Sequence, residues 1–248
     1  MIKHTTKAVL AGLVLAAATF GSNAATRTFS NTAPITIYDS ARASLYPAPI
    51  SVSTLGGPIS NVKVTLHGFS HTYIGDLNIL LVAPGGQKIS LLRRYGMTSA
   101  ICCGYGSELA NAEVTFSATA ASMIPANVAI VASGTYLPSS SGNTQDSPAP
   151  APAGPYSSDL TTLNGPGIGQ NGTWKLYVTD NAGGDVGAIS GGWSLSLTGF
   201  YSCAAEGYTG TKRTLCHQVC EINYPPTTLN GLIKLWVALY HSTPPCVD

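Results

Sequence analysis

The stretch Asn61-Val62-Lys63-Val64-Thr65-Leu66-His67-Gly68-Phe69 alternates apolar and polar side chains as far as Leu66. Val62, Val64 and Leu66 fall on one side of an extended chain, and Asn61, Lys63 and Thr65 fall on the other. That period of two is the pattern of a half-buried strand. Moving outward, residues 35–38, 50–52, 77–82, 88–92, 114–117, 174–179 and 193–197 are short runs rich in β-branched and aromatic side chains, each bounded by Gly, Pro, Asn, Asp or Ser. Leu195 and Leu197 alternate with Ser194, Ser196 and Thr198. Pro84-Gly85-Gly86, between two such runs, is a hairpin turn in which proline presets one φ and glycine accepts a positive one. About eight such segments with no helical period before residue 200 predict an all-β fold, a jelly-roll-like antiparallel β-sandwich.

Composition narrows the function. The chain has 248 residues, 9% charged and 44% hydrophobic, with a formal net charge of +1. No basic stripe exists to neutralise phosphates, so an electrostatically driven nucleic-acid binder is excluded. Gly and Pro together make about 17% of the chain, too little and too aperiodic for collagen or low-complexity disorder. One domain of ordinary size with an appendage is expected.

Lys3 and Lys7 precede an uncharged run over 8–20 that ends at Ser22-Asn23-Ala24, which predicts a secretory signal peptide over 1–24 and a secreted protein of bacterial type. The run is too short for a comfortable membrane span, and none is expected elsewhere. Cleavage after Ala24 removes two of the 12 basic residues and none of the 11 acids, leaving a net charge of about −1. Export also decides the chemistry of the six cysteines, Cys102, Cys103, Cys203, Cys216, Cys220 and Cys246. An even number in an oxidising compartment predicts disulfides, with 15 pairings open. The zinc-like grouping of Cys216 and Cys220 with His217 and His241 is the disfavoured alternative.

The Pro/Ser/Ala stretch 138–156 resembles a linker, but the two or three strands that follow it before residue 200 are too few for a second core. It is expected to be an extended, polyproline-like surface loop of one sandwich over 25–200, without hydrogen bonds. From residue 201 to 248 the texture changes to a Cys-rich tail. A short helix is predicted over 214–221. A second, over 229–240, places Leu232, Leu235, Trp236 and Leu239 on one stripe after a Pro225-Pro226 start. A small disulfide-tied, partly helical tail results, packed on the sandwich or on itself.

A search for a nucleophile with its base finds Asp39-Ser40-Ala41 and His67-Gly68-Phe69-Ser70, a faint echo of subtilisin-like Asp and His segments. No Gly-Thr-Ser-x-Ala, Gly-x-Ser-x-Gly or His-Glu-x-x-His follows, and His67 reads as a strand residue. Gly165-Pro166-Gly167-Ile168-Gly169 lacks the strand-then-helix context of a dinucleotide site.

Two blocks are more distinctive. In the first, His71-Thr72-Tyr73-Ile74-Gly75-Asp76-Leu77 leads into an apolar run. In the second, Gly172-Thr173-Trp174 opens a strand that ends at Asp180-Asn181, followed by Asp185, Gly187 and Trp193. Each sets a Gly-Asp turn beside an apolar strand, with Asp76 able to cap backbone N–H groups, His71 able to pair with Asp76, and Trp174 and Trp193 supplying core area. In these blocks the chain resembles the P domain, or P/Homo B domain, that follows the catalytic domain in the subtilisin-like proprotein convertases of the kexin and furin family. The resemblance spans about 27–199 and is weaker between 93 and 165, where Phe116-Ser117-Ala118-Thr119-Ala120 replaces an acidic stretch and Cys102-Cys103 is an addition.

The resemblance implies a jelly-roll sandwich that packs on a protease, contributes to its folding, and supplies no triad residue. It makes His71, Thr72, Gly75, Asp76, Leu77, Gly172, Thr173, Trp174, Asp180, Asp185, Gly187 and Trp193 structural motif residues and leaves no catalytic residue. It also suggests calcium as a cofactor, with Asp180, Asn181 and Asp185 as ligands beside a Gly-rich turn. Only about ten residues precede Ile35 after signal cleavage, so no protease domain is expected ahead of the sandwich. The expected function is a secreted, non-catalytic module that binds or stabilises an extracellular partner, a subtilisin-like serine protease. The alternative is a surface- or polysaccharide-binding sandwich using Tyr73, Tyr95, Tyr105 and Tyr136.

Overall fold

The computed structural model describes residues 24–53, 55–93, 107–125, 128–139, 147–165, 170–201, 203, 207–221, 226–242 and 244. The signal segment up to residue 23, Cys102, Cys103, Cys246, Tyr95 and Tyr105 lie outside the described residues.

Two sheets face each other. The strands are β1 (Ala24–Asn31), β2 (Ile35–Ile37), β3 (Ala48–Val52), β4 (Leu55–His71), β5 (Leu77–Val82), β6 (Lys88–Arg93), β7 (Glu108–Ser117), β8 (Ile130–Val131), β9 (Gly134–Tyr136), β10 (Gly172–Asp180), β11 (Gly187–Ile189) and β12 (Trp193–Tyr201). The first sheet runs β1-β12-β4-β11-β2, with β7 on the other edge of β4, and the second runs β3-β10-β5-β6. Each segment expected from the sequence lies within one of these strands, except that β2 ends at Ile37, one residue short of the expected 35–38. The antiparallel expectation needs one correction: β8 and β9 pair with β7 in parallel. Both are three residues or fewer, too short to leave a periodic trace.

The core between the sheets holds Val62, Val64, Leu66, Phe69, Trp174 and Trp193, all essentially buried. The alternation read at residues 61–66 therefore points Val62, Val64 and Leu66 inward as expected. The phase then slips. Leu66 and Phe69 both face the core, and the pairing of β4 with β7 shifts between them, a β-bulge that places His67 and Gly68 opposite a shortened partner. Gly68 supplies the positive φ of 63° that this bulge requires.

β5 is buried along all six residues. Ile79 and Leu81 enter the central core, while Leu80 and Val82 join Tyr177 in a second cluster on the outer side, with Tyr46, Ala151 and Tyr156 against it. The roof is the Pro-rich loop, which explains why this strand reads as a continuous apolar run. The loop also departs from the expectation of an unbonded polyproline segment. Ser139 N–H donates to the Leu91 carbonyl at 3.0 Å and Lys88 Nζ donates to the Ala153 carbonyl at 2.7 Å, and just past the loop Ser157 N–H donates to the Lys88 carbonyl at 3.0 Å. A loop lying on a buried strand must satisfy its own backbone, and it does so through β6.

The tail has its own small core of Cys203, Leu215, Cys216, Val219, Cys220 and Trp236. Helix α1 spans Gly210–Cys216 and passes into a π-helical turn over His217–Glu221, and α2 spans Pro226–Tyr240. The first helix thus begins earlier than predicted. The predicted stripe on α2 is also corrected: Leu235 and Leu239 are 47% and 51% exposed, and the packed side is Leu229, Leu232, Ile233, Trp236 and Tyr240. Trp236 selects the face because it carries the largest apolar area, and Ile233 and Tyr240 flank it where Leu235 and Leu239 were expected. Cys203 and Cys216 form a disulfide, and Cys220 is disulfide-bonded as well. The sulfurs of all three lie within 4.8 Å of one another, a spacing a metal could use, but oxidation removes the thiolates, and His217 and His241 are exposed residues outside this grouping. No helix among the described residues is long and apolar enough to cross a membrane.

Candidate functional site

The two sequence blocks meet at one end of the sandwich, where β4 ends, β10 ends and β11 begins. His71, the last residue of β4, and Asp180, the last of β10, have fully buried side chains, with His71 Nε2 at 3.2 Å from Asp180 Oδ2. His71 Nδ1 lies against the Tyr73 peptide, 2.8 Å from its carbonyl oxygen and 3.1 Å from its nitrogen. The histidine therefore takes Asp180 as its partner, not Asp76 as expected from sequence proximity. Asp76 is buried in a 3-10 turn over Ile74–Asp76, whose carbonyl receives both the backbone N–H and the Nδ2 of Asn181 at 2.9 and 3.2 Å.

Asp180 Oδ1 accepts the Ala182 N–H at 2.9 Å. Burial pushes the Asp180 carboxyl above its ordinary range, and the Ala182 N–H and His71 only partly counter that. Thr72 donates its hydroxyl to Asp185 Oδ1 at 2.6 Å and accepts the Val186 N–H at 3.2 Å. Gly187 pairs with His71 across the sheet, and a Cβ there would sit 2.6 Å from the imidazole Cδ2 and 2.1 Å from the Ser70 carbonyl. Only glycine leaves room for the ring. Leu77 and Trp174 are fully buried, and the Trp174 indole donates to the Gln170 carbonyl at 3.0 Å. Gly172 holds a φ of 131° beside Pro84, and Thr173 is exposed on the same strand.

The motif residues that meet are thus His71, Thr72, Asp76, Asp180, Asn181, Asp185 and Gly187. Their polar side-chain atoms are bonded to one another and to neighbouring backbone, which ties the ends of β4 and β10 to the start of β11. The oxygens proposed for calcium are in the same position: both Asp180 oxygens and one of Asp185 already accept hydrogen bonds from the protein. Beside this corner opens a cleft of about 400 Å³ lined by Ser40, Arg42, Pro148, Thr179, Asp180 and Asn181, with Arg42 held by the Ala149 carbonyl at 2.9 Å. Asp39 accepts the Gly184 N–H at 2.9 Å and does not approach His67, whose partners are Glu113 and Ser194. Of the four tyrosines considered for surface binding, Tyr73 and Tyr136 are half-buried, and Tyr136 donates to the Ala132 carbonyl at 2.8 Å.

Sequence reasoning missed the His71–Asp180 pair because 109 residues separate its members. The one available signal was that each closes an alternating strand with a polar residue.

Compared with known proteins, residues 59–120 match the family model described as the proprotein convertase P-domain, which runs from Ile59 within β4 to just past the end of β7. No curated protein matches the chain. Among solved structures, the chain resembles a serine protease of Aeromonas sobria, with 15% identity and a TM-score of 0.33 over 70% of this chain and 26% of that one. It likewise resembles the complex of that protease with its chaperone, with 16% identity and a TM-score of 0.32 over 71% and 26%. The chain spans about a quarter of the length of these structures.

Proposed function

With residues 59–120 matching the proprotein convertase P-domain, we propose that this chain is an exported binding module that docks on and stabilises a subtilisin-like serine protease supplied as a separate polypeptide. The observation that carries the reading is the match itself, which includes β4 and its last residue His71, while Asp180 and Gly187 of the same corner lie beyond it. The corner supports it by its chemistry. Its groups are spent on holding β4, β10 and β11 together, so the motif acts as scaffold and peptide-bond cleavage belongs to the partner. Export rests on the signal-like segment over 1–24, with its two lysines, uncharged run and small residues at 22–24. A mature chain beginning at Ala25 would keep Thr26, Thr28 and Ser30 paired with β12.

The test is capture from the culture medium with tagged full-length protein, read as casein-cleaving activity on the resin. Co-purification of a protease whose half-life at elevated temperature falls when the chain is withheld supports the reading. Retention on insoluble polysaccharide with no protease captured overturns it in favour of a polymer-binding sandwich.

A further inference from the structure

The outer face of the first sheet carries an ordered array that the P-domain reading does not use. Hydroxyls cross the strands in register: Thr26 with Thr198, Thr28 with Ser196, and Thr65 with Thr115, each pair at 2.8 Å. At the bulge end of this face the array changes character. His67 Nε2 lies 2.8 Å from Ser194 Oγ on β12, and His67 Nδ1 lies 2.6 Å from Glu113 Oε2 on β7. The other Glu113 oxygen accepts the Gly68 N–H at 3.0 Å. A carboxylate this close keeps the imidazole proton on Nδ1, so Nε2 presents its lone pair to the serine hydroxyl.

Three features hold the imidazole in place. The bulge turns His67 outward, its backbone bonds to Gly191 and Gly192 at 2.9 Å each, and Gly191 leaves the space that a Cβ, 2.8 Å from the His67 Cβ, would fill. Ser194 is 6% exposed, whereas the side chains of His67 and Glu113 are 35% and 55% exposed. With so little of Ser194 exposed beside two accessible side chains, a small acyl group is the one suited to reach its hydroxyl.

We propose that Ser194 is a nucleophilic serine, with His67 as its base and Glu113 as the positioning residue, that accepts the acyl group of small activated esters. Oγ attacks the ester carbonyl carbon while its proton passes to His67 Nε2. The bond to the leaving alcohol breaks, and that alcohol takes the proton from the imidazolium. Water, giving a proton to the same nitrogen, then attacks the acyl-serine and releases the carboxylic acid with Ser194 restored.

The backbone sets the substrate class. The N–H groups of Gly68, Gly191 and Gly192 are committed to Glu113, to the His67 carbonyl and to the Ile189 carbonyl. Ser194 N–H lies in the ladder, since β12 runs between β1 and β4. A tetrahedral oxyanion finds no spare donor among these four residues, and each missing donor is worth about 10²–10³ in rate. Peptide bonds are thereby excluded, and esters with a good leaving group remain. The inference does not rest on the protease partner.

The test uses full-length protein with p-nitrophenyl acetate and mass mapping of the acetylated residue. Acetyl on Ser194, with turnover at least about tenfold above Ser194→Ala and His67→Gln, is the expected result. Ser196→Ala, two residues along the same strand face, should leave turnover unchanged, and Glu113→Gln should lower kcat with KM unchanged. Equal turnover by wild type and Ser194→Ala, or acetyl on a lysine, tyrosine or histidine instead, would overturn the proposal. Should Ser194→Ala fail to fold, Ser194→Cys replaces it: iodoacetamide should alkylate that thiol at least about tenfold faster than the thiol of Ser196→Cys, and equal rates would overturn the proposal.

Discussion

Asp180 sits between strand ends hydrogen-bonded to an imidazole and a backbone N–H, and burial raises its pKa above the ordinary 3.8. A folded-state pKa above the unfolded one means the fold prefers the neutral acid. The associated stability is fully present below the ordinary carboxylate value and is lost as pH rises through the raised one. Asn at this position keeps an acceptor for the Ala182 N–H and carries no charge. Asp180→Asn should therefore gain stability relative to wild type as pH rises from the carboxylate range toward neutrality, measured by urea unfolding at several pH values. Asp180→Leu, which takes the partner from buried His71 Nε2 and the acceptor from the Ala182 N–H, should cost about 1–3 kcal/mol. Gly192 holds a φ of 71°, and a Cβ there would fall 2.0 Å from the Asn31 carbonyl. Gly192→Ala should thus destabilise by at least about 2 kcal/mol in the same assay. Because Asp180 and Asp185 already serve protein donors, millimolar calcium should leave the melting temperature unchanged; a rise that a chelator reverses would assign a calcium site there.

At the level of strands and helices, Trp174 on β10 and Trp193 on β12 are both fully buried and bring the two sheets together. Trp174→Ala should cost about 3–5 kcal/mol by urea unfolding. The strands carrying these residues were legible because large apolar side chains alternate with polar ones. β1 was not, since Arg27 and Phe29 are its only bulky members facing inward and its eight residues are otherwise small or polar. The bulge at His67 was hidden for a related reason: alternation predicts side, and a bulge changes side without changing composition. The candidate site divides the same way. Its members were visible as motifs, and the Gly187 requirement follows from contact with His71. The pairing of His71 with Asp180, and of His67 with Glu113 and Ser194, depends on strand neighbours that local sequence does not encode. On α2 the apolar residues are too many to choose a face by period alone, and burial of Trp236 made the choice.

Over the whole molecule, two cores of different kinds coexist: a large sandwich core and a small tail core closed by Cys203–Cys216 across 13 residues. A loop of that size contributes about 3 kcal/mol through the unfolded chain, a large share for so small a cluster. Reductant should therefore melt the helical signal of the tail at a lower temperature while the near-ultraviolet signature of Trp174 and Trp193 persists, a separation that circular dichroism in both ranges would register. The sandwich has its own directional weakness. Ala24 lies opposite Phe200 and Asn31 opposite Trp193, so the first and last strands run antiparallel with their outer ends side by side. Their hydrogen bonds lie perpendicular to the strands. A pull applied at Ala24 and Phe200 would open that ladder one bond at a time from the end, as a zip, and would not shear eight residue pairs together. Held at those two residues, the molecule would yield first along β1 and β12, at low force, while the second sheet stayed folded.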